Sequence, residues 1–143
     1  VEDLLLEFIN TLDLSLKKKI QADVGNVSGI SKLTIHQFQY IDAIYNLGEP
    51  TSTEIAKRLN ITKASVTIGV NRLANMGYVI KTQSNKDKRV FHVSLTGSGE
   101  NLIKAKYQAL KEYGEFIAAS LTKEEASQFE ETLTKLVKFF KKG

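Results

Sequence analysis

Cysteine and tryptophan are absent from this sequence, proline and methionine occur once each, and histidine occurs twice. Without cysteine there is no disulfide, no thiolate metal site, no Cys nucleophile and no thiol redox sensor. His36 and His92 stand far apart and argue against a metal site built from protein ligands. No apolar run approaches the roughly 18 residues that span a bilayer, so no membrane helix is expected. Secretory and lipidation signals are also lacking. The opening Val1 implies that an initiator Met is missing, and a cytoplasmic location is the default expectation. There is no H-E-x-x-H, no G-x-S-x-G and no phosphate-binding loop, and Ser, His and Asp occur at no spacing that marks a constellation. An enzyme is therefore disfavoured, and no cofactor is implied.

What is present suffices for one folded domain. The chain has 143 residues, of which 42% are hydrophobic and 25% charged, enough apolar matter for a core. A chain this short still buries only about two-thirds of its unfolded surface, so self-association would add stability. The net charge of +4 is unevenly placed. Between 51 and 93 stand Lys57, Arg58, Lys63, Arg72, Lys81, Lys86, Lys88 and Arg89 against Glu54 and Asp87, a net +6 that leaves −2 for the rest. A concentrated positive field suits a polyanion, of which nucleic acid is the commonest. The competing reading is a solvated basic face.

Apolar periodicity predicts six helices and one hairpin. Leu5, Phe8, Ile9, Leu12, Leu16 and Ile20 mark a first helix over 2–20, with Lys17, Lys18 and Lys19 where a helix C-terminus favours cations. Gly25 and Gly29, among Asn26, Ser28 and Ser31, read as a loop. A second helix follows Thr34, with Ile35, Phe38, Ile41, Ala43, Ile44 and Leu47 inward, and Gly48 and Pro50 stop it. A short third helix over 51–60 is capped by Ser52 or Thr53 and buries Ile55, Ala56 and Leu59. A fourth runs from Thr62 to about Asn75, with Gly77 as its C-cap. Val66, Gly69, Val70, Leu73 and Gly77 share one side of it; Ala64, Ser65, Ile68, Asn71, Arg72 and Asn75 share the other. Those short side chains permit close approach to another surface.

The period then changes from 3.6 to 2. Residues 78–82 and 89–95 read as antiparallel strands around the basic turn 83–88. Leu102, Ala105, Tyr107, Leu110, Tyr113, Ile117 and Leu121 mark a long helix over 97–119. Thr122 and Glu125 form a capping box for the last helix, whose stripe is Ala126, Phe129, Leu133, Leu136, Val137 and Phe140. The long terminal stripes suggest packing on each other and on a second copy.

Helix, helix, helix and hairpin across 35–95 is the order of a winged helix-turn-helix, and here the chain resembles the MarR family of transcriptional regulators. The matching text runs from Ser52-Thr53-Glu54-Ile55-Ala56-Lys57-Arg58-Leu59 through Asn60-Ile61-Thr62-Lys63-Ala64-Ser65-Val66-Thr67. Leu73, Gly77-Tyr78-Val79, Asp87-Lys88-Arg89 and Leu95-Thr96-Gly97-Ser98-Gly99 complete it. The resemblance covers nearly the full length, although residues 1–34 match by helix placement more than by motif. It implies a mainly α fold with a small β-hairpin wing. A winged-helix DNA-binding region would span 34–95, and a helical dimerisation region 1–33 plus 96–143.

The resemblance further implies a homodimer on a palindromic operator of double-stranded DNA, with repression the expected sense. Helix 62–75 would read the DNA. Its N-terminus, with Thr62 and Ser65, would hold a phosphate, although both residues also serve as simple caps. Lys63 would contact phosphate; Thr67, Ile68 and Asn71 lie toward base edges, and Ile68 could equally be a surface aliphatic. Arg72 would reach a guanine or a phosphate. In the wing, the Asp-x-Arg pattern places Arg89 in the minor groove with Asp87 orienting it, and Lys86 and Lys88 on phosphates. Peroxide-sensing members use a Cys that this chain lacks, and zinc-sensing members a ligand cluster that its two histidines do not make. A small-molecule effector remains, with Phe8, Leu12, Phe38, Tyr40, Tyr107 and Leu110 as candidate lining residues or ordinary core. The rival function is a winged helix that binds protein and reads no DNA sequence.

Overall fold

The structure is a computed structural model that describes residues 1–24 and 33–143. The loop expected around 25–31 lies outside the described residues. Among the described residues six helices and a hairpin follow in the order α1 (Glu2–Val24), α2 (Ile35–Leu47), α3 (Ser52–Leu59), α4 (Lys63–Asn75), β1 (Val79–Gln83), β2 (Phe91–Leu95), α5 (Gly97–Ser120) and α6 (Lys123–Lys142). The mainly α, winged helix-turn-helix class expected from the sequence is what is found. The chain divides into two compact units, Val1–Tyr107 and Gln108–Gly143. Among the described residues no helix is long and apolar enough to cross a membrane.

In the first unit the core is built from Ile41 and Ile44 of α2, Ile55 of α3, Val66, Val70 and Leu73 of α4, and Val93 of β2, all essentially sealed from solvent. Leu102 and Ile103 of α5 are equally buried. Local chemistry sets the element ends. Thr34 and Gln37 close a reciprocal capping box on α2, and Gly48, at φ 87°, ends it in the left-handed region. The cap of α3 is Thr51, whose hydroxyl accepts from the Glu54 N–H, rather than the expected Ser52 or Thr53. Pairing fixes that choice: the Pro50 carbonyl accepts from the Val93 N–H at 2.8 Å and Thr51 bridges to His92, so the chain stays extended through 51.

α4 ends at Asn75 with Met76 as its C-cap rather than the expected Gly77, which follows just beyond at φ 84°. The hairpin register runs from Val79 opposite Leu95 to Gln83 opposite Phe91; the first strand lies one residue further along than expected, and the second begins two residues later and ends, as expected, at Leu95. Two other expectations change. α1 continues to Val24, so Lys17, Lys18 and Lys19 lie inside it rather than in its last turn. Lys17 instead pairs with Asp13 one turn earlier at 2.9 Å. On α2, Ile35 is exposed rather than inward, whereas Phe38, Ile41, Ala43 and Ile44 are buried as expected and Tyr40 is buried with them.

The second unit holds the latter part of α5 and all of α6. The Thr122–Glu125 capping box forms as expected, with the Thr122 hydroxyl accepting from the Glu125 N–H and the Glu125 carboxylate accepting from the Thr122 N–H. No residue of α6 is buried, and Leu133, Leu136, Val137, Phe139 and Phe140 all stand in solvent.

Candidate nucleic-acid interface

α4 owes its orientation to a small residue. Gly69 faces Tyr40, and a Cβ there would come within 2.8 Å of the Tyr40 hydroxyl. The missing side chain lets the tyrosine approach the helix closely and donate to the Ser65 carbonyl at 3.0 Å. With Val66, Val70 and Leu73 held inward, Thr62, Lys63, Ala64, Ser65, Thr67, Ile68, Asn71, Arg72 and Asn75 are all exposed. Every residue expected to contact DNA on this helix thus sits on its open side.

The helix start is set by Thr62, whose hydroxyl accepts from the Ser65 N–H at 3.1 Å and donates to the Ser65 hydroxyl at 2.9 Å. Capping and phosphate contact are compatible here, because the cap leaves other N–H groups of the first turn pointing outward. The Thr67 hydroxyl donates to the Lys63 carbonyl at 3.0 Å, so toward a ligand it offers acceptor lone pairs.

In the wing, Ser84 accepts from the N–H groups of Lys86 and Asp87, and Gln83 donates to the Lys88 carbonyl. This local network shapes residues 84–90 without a packed core. Arg89 donates from Nε to Asp87 Oδ1 at 3.2 Å, from Nη2 to Oδ2 at 3.3 Å, and from its backbone N–H to Oδ1 at 3.0 Å. The side-chain and then the backbone bond from Arg89 hold the Asp87 carboxyl below its ordinary pKa, against a small opposing effect of burial. The Arg89 side chain remains 90% exposed. It is braced at one edge and open at the other. Lys86 and Lys88 stand exposed on the same turn.

Sequence reasoning missed Lys81 as a site residue. Its ammonium donates to Asn71 Oδ1 at 3.0 Å and lies 5.5 Å from the centre of the Phe91 ring. Strand register is the signal that finds it: Lys81 is opposite Val93, and Phe91 lies two residues away on the same face. Lys63, Thr67, Lys81 and Arg89 border, with Ser52 and Thr53, a cleft of about 410 Å³ between α3, α4 and the hairpin.

The residues expected around an effector have several settings. Phe8 is exposed on α1 and Leu12 half-buried. Phe38 is buried with Lys106 Nζ 5.2 Å from its ring centre. Tyr40 is bound to α4 as described. The Tyr107 hydroxyl donates to Asp42 and accepts from Asn46, and the bond to Asp42 raises its pKa most. Leu110 belongs to the second unit and is partly exposed. His36 lies in α2 and His92 in β2, where its Nδ1 is 2.9 Å from the Glu49 carbonyl oxygen. Among the described residues no group of three or more potential metal ligands occurs.

The model of the MarR family matches residues 21–90, the stretch that holds α2, α3, α4 and most of the wing. The chain belongs to the MarR family. As a member it is a DNA-binding transcriptional regulator rather than an enzyme. It is 28% identical over 132 residues to the HTH-type transcriptional regulator PapX of Escherichia coli, covering 90% of this chain and 80% of PapX. Its fold is similar to that of Streptococcus pneumoniae FabT solved in complex with DNA, with a TM-score of 0.75, 22% identity and 99% of each chain covered. It also resembles YusO of Bacillus subtilis, with a TM-score of 0.65, 25% identity, and 96% of this chain and 98% of that one covered.

Proposed function

We propose that this MarR-family chain acts as a homodimeric repressor on inverted-repeat operators, with α4 in the major groove and Arg89 in the flanking minor groove. The observation that carries the proposal is the joint exposure of a short-chained polar helix face and an arginine already braced by Asp87. Residues 62–72 of α4 would make the base and phosphate contacts, and Lys86, Asp87, Lys88 and Arg89 would form the wing contact. Winged helix-turn-helix dimers meet half-sites about one helical turn apart, which is the spacing proposed here. Residues 1–33 and 96–143 would supply the dimer contacts, since α1 and α6 carry exposed apolar faces. A small molecule that weakens operator binding would complete the regulatory cycle. FabT, solved with DNA, shares this fold and lends the reading support.

The test is selection of bound sequences from a random duplex pool, followed by anisotropy titration of the winning duplex. An inverted repeat should emerge. With six to ten phosphate contacts, affinity should fall by roughly 10³–10⁵ between 50 and 200 mM salt. No enriched sequence, or an affinity flat across that range, would overturn the proposal in favour of a protein-binding winged helix.

A further inference from the structure

The Asn71–Lys81 contact constrains what the recognition helix can read. An asparagine amide has a donor end and an acceptor end, and the two are easily exchanged by rotation about its last bond. An ammonium group has only donors. The 3.0 Å contact from Lys81 Nζ therefore requires the Asn71 oxygen to face β1, which turns the Nδ2 donors away from the hairpin. The lysine is itself located. It projects from β1 on the face that packs toward α4, and the Phe91 ring, a diagonal neighbour across the hairpin, flanks its ammonium at 5.5 Å. Both Asn71 and Lys81 are exposed, so they lie on the open side of the unit rather than in its core.

We propose that Lys81 is a positioning residue for base readout: it fixes Asn71 as a donor-only reader. Paired recognition of adenine by asparagine needs both amide ends aimed at one base edge, the oxygen accepting from N6 and the nitrogen donating to N7. With its oxygen turned to β1, Asn71 presents its N–H groups: it can still donate to adenine N7 but forfeits the bond from N6. Adenine thereby loses its advantage over guanine (N7, O6) and thymine (O4), and cytosine, which shows only a donor, is disfavoured. The wing strand thus selects a base through a side chain that it does not carry.

This inference rests on the operator-binding reading above, and its test separates the two. Wild type, Lys81→Met and Asn71→Ala are each measured against the selected operator, the same operator with every base substituted in turn at each half-site position, and a scrambled duplex. Circular dichroism checks folding. Lys81→Met keeps the aliphatic stem and removes the donor. Wild type should show one position at which cytosine is disfavoured and adenine holds no advantage over guanine or thymine. Asn71→Ala should erase the preference at that position. Lys81→Met should shift the same position toward adenine by about tenfold, the scale of one good side-chain contact to a base, and leave preferences elsewhere unchanged. A uniform loss across all duplexes in Lys81→Met, with the preference profile intact, would make Lys81 a phosphate contact and overturn the inference. An Asn71→Ala profile identical to wild type would also overturn it. A wild type with no preference at any position would instead remove the operator reading, and this inference with it.

Discussion

Asp87 and Arg89 show how two charged residues at a solvent-exposed turn can have a fixed geometry. An exposed ion pair ordinarily contributes little, because both chains lose rotamer freedom for a screened attraction. Here Asp87 also accepts the Arg89 backbone N–H, so the carboxylate is anchored to the turn before the guanidinium meets it. Arg89→Ala should weaken operator binding by about 1–3 kcal/mol with the circular dichroism spectrum unchanged, since the side chain supports no core. Asp87→Ala should weaken it too, although it removes a negative charge near a polyanion; anisotropy titration decides the sign. A ¹³C titration of Asp87 gives an independent check. Its pKa is lowered, so the ionised pair is present at neutral pH and is lost as the pH falls through a value below the ordinary carboxylate midpoint. Its midpoint should lie below 3.8 and rise when Arg89 is replaced by Ala. The Asp-x-Arg spacing was legible in the sequence, because a contact two residues apart is nearly local. The Ser84 and Gln83 bonds that shape the turn were not, because several polar residues there could have made them.

At the scale of the element, α4 depends on a vacancy. A glycine inside a helix costs about 0.5–1 kcal/mol relative to alanine, so Gly69→Ala should stabilise an isolated helix. In this protein the added methyl would run into the Tyr40 ring, which is buried and held by the Ser65 carbonyl. Overpacking of that kind typically costs about 1–3 kcal/mol, which exceeds the propensity gain. Gly69→Ala should therefore lower stability in urea unfolding, and the same change in a Tyr40→Ala background should lower it less or raise it. The sequence placed Gly69 on the inner side of α4 correctly, but it gave no sign that Tyr40 was its neighbour. Helix starts at Thr34, Thr62 and Thr122 were readable because a cap is decided within three or four residues. Thr51 was not, since Ser52 and Thr53 are equally good caps and a hydrogen bond from Val93, 43 positions beyond Pro50, makes the choice. The end of α1 was misplaced for the opposite reason: three consecutive lysines look like a C-terminus, yet an internal ion pair to Asp13 accommodates the first of them.

For the molecule as a whole, the apolar surface left on α1 and α6 is the dominant unexplained quantity in a monomer. Leu4, Leu5, Leu6, Phe8 and Ile9 stand open on the first helix, and Phe139 and Phe140 are 73% and 74% exposed on the last. An isolated 16.0 kDa chain would carry this as an aggregation hazard, whereas an obligate dimer would bury about 2,000 Å² or more. Sedimentation equilibrium at micromolar concentration should give twice the chain mass, and Leu136→Glu with Phe140→Glu should shift it toward the monomer. The sequence showed part of this surface, Leu5, Phe8, Ile9 and Phe140 among it, because periodicity along one helix is a local property; Leu4, Leu6 and Phe139 fall outside the expected stripes and are exposed as well. It could not show what covers them. It likewise missed the way the hairpin is rooted: Glu49, Pro50 and Thr51 run beside β2, with the Pro50 carbonyl holding Val93 and the Glu49 carbonyl meeting His92. In mechanical terms β2 is a beam clamped along one edge at His92 and Val93, with residues 84–90 overhanging beyond the clamp. Arg89 is only three positions from His92, so the overhang that carries it is short, and the bond to Asp87 ties it to the rest of the turn.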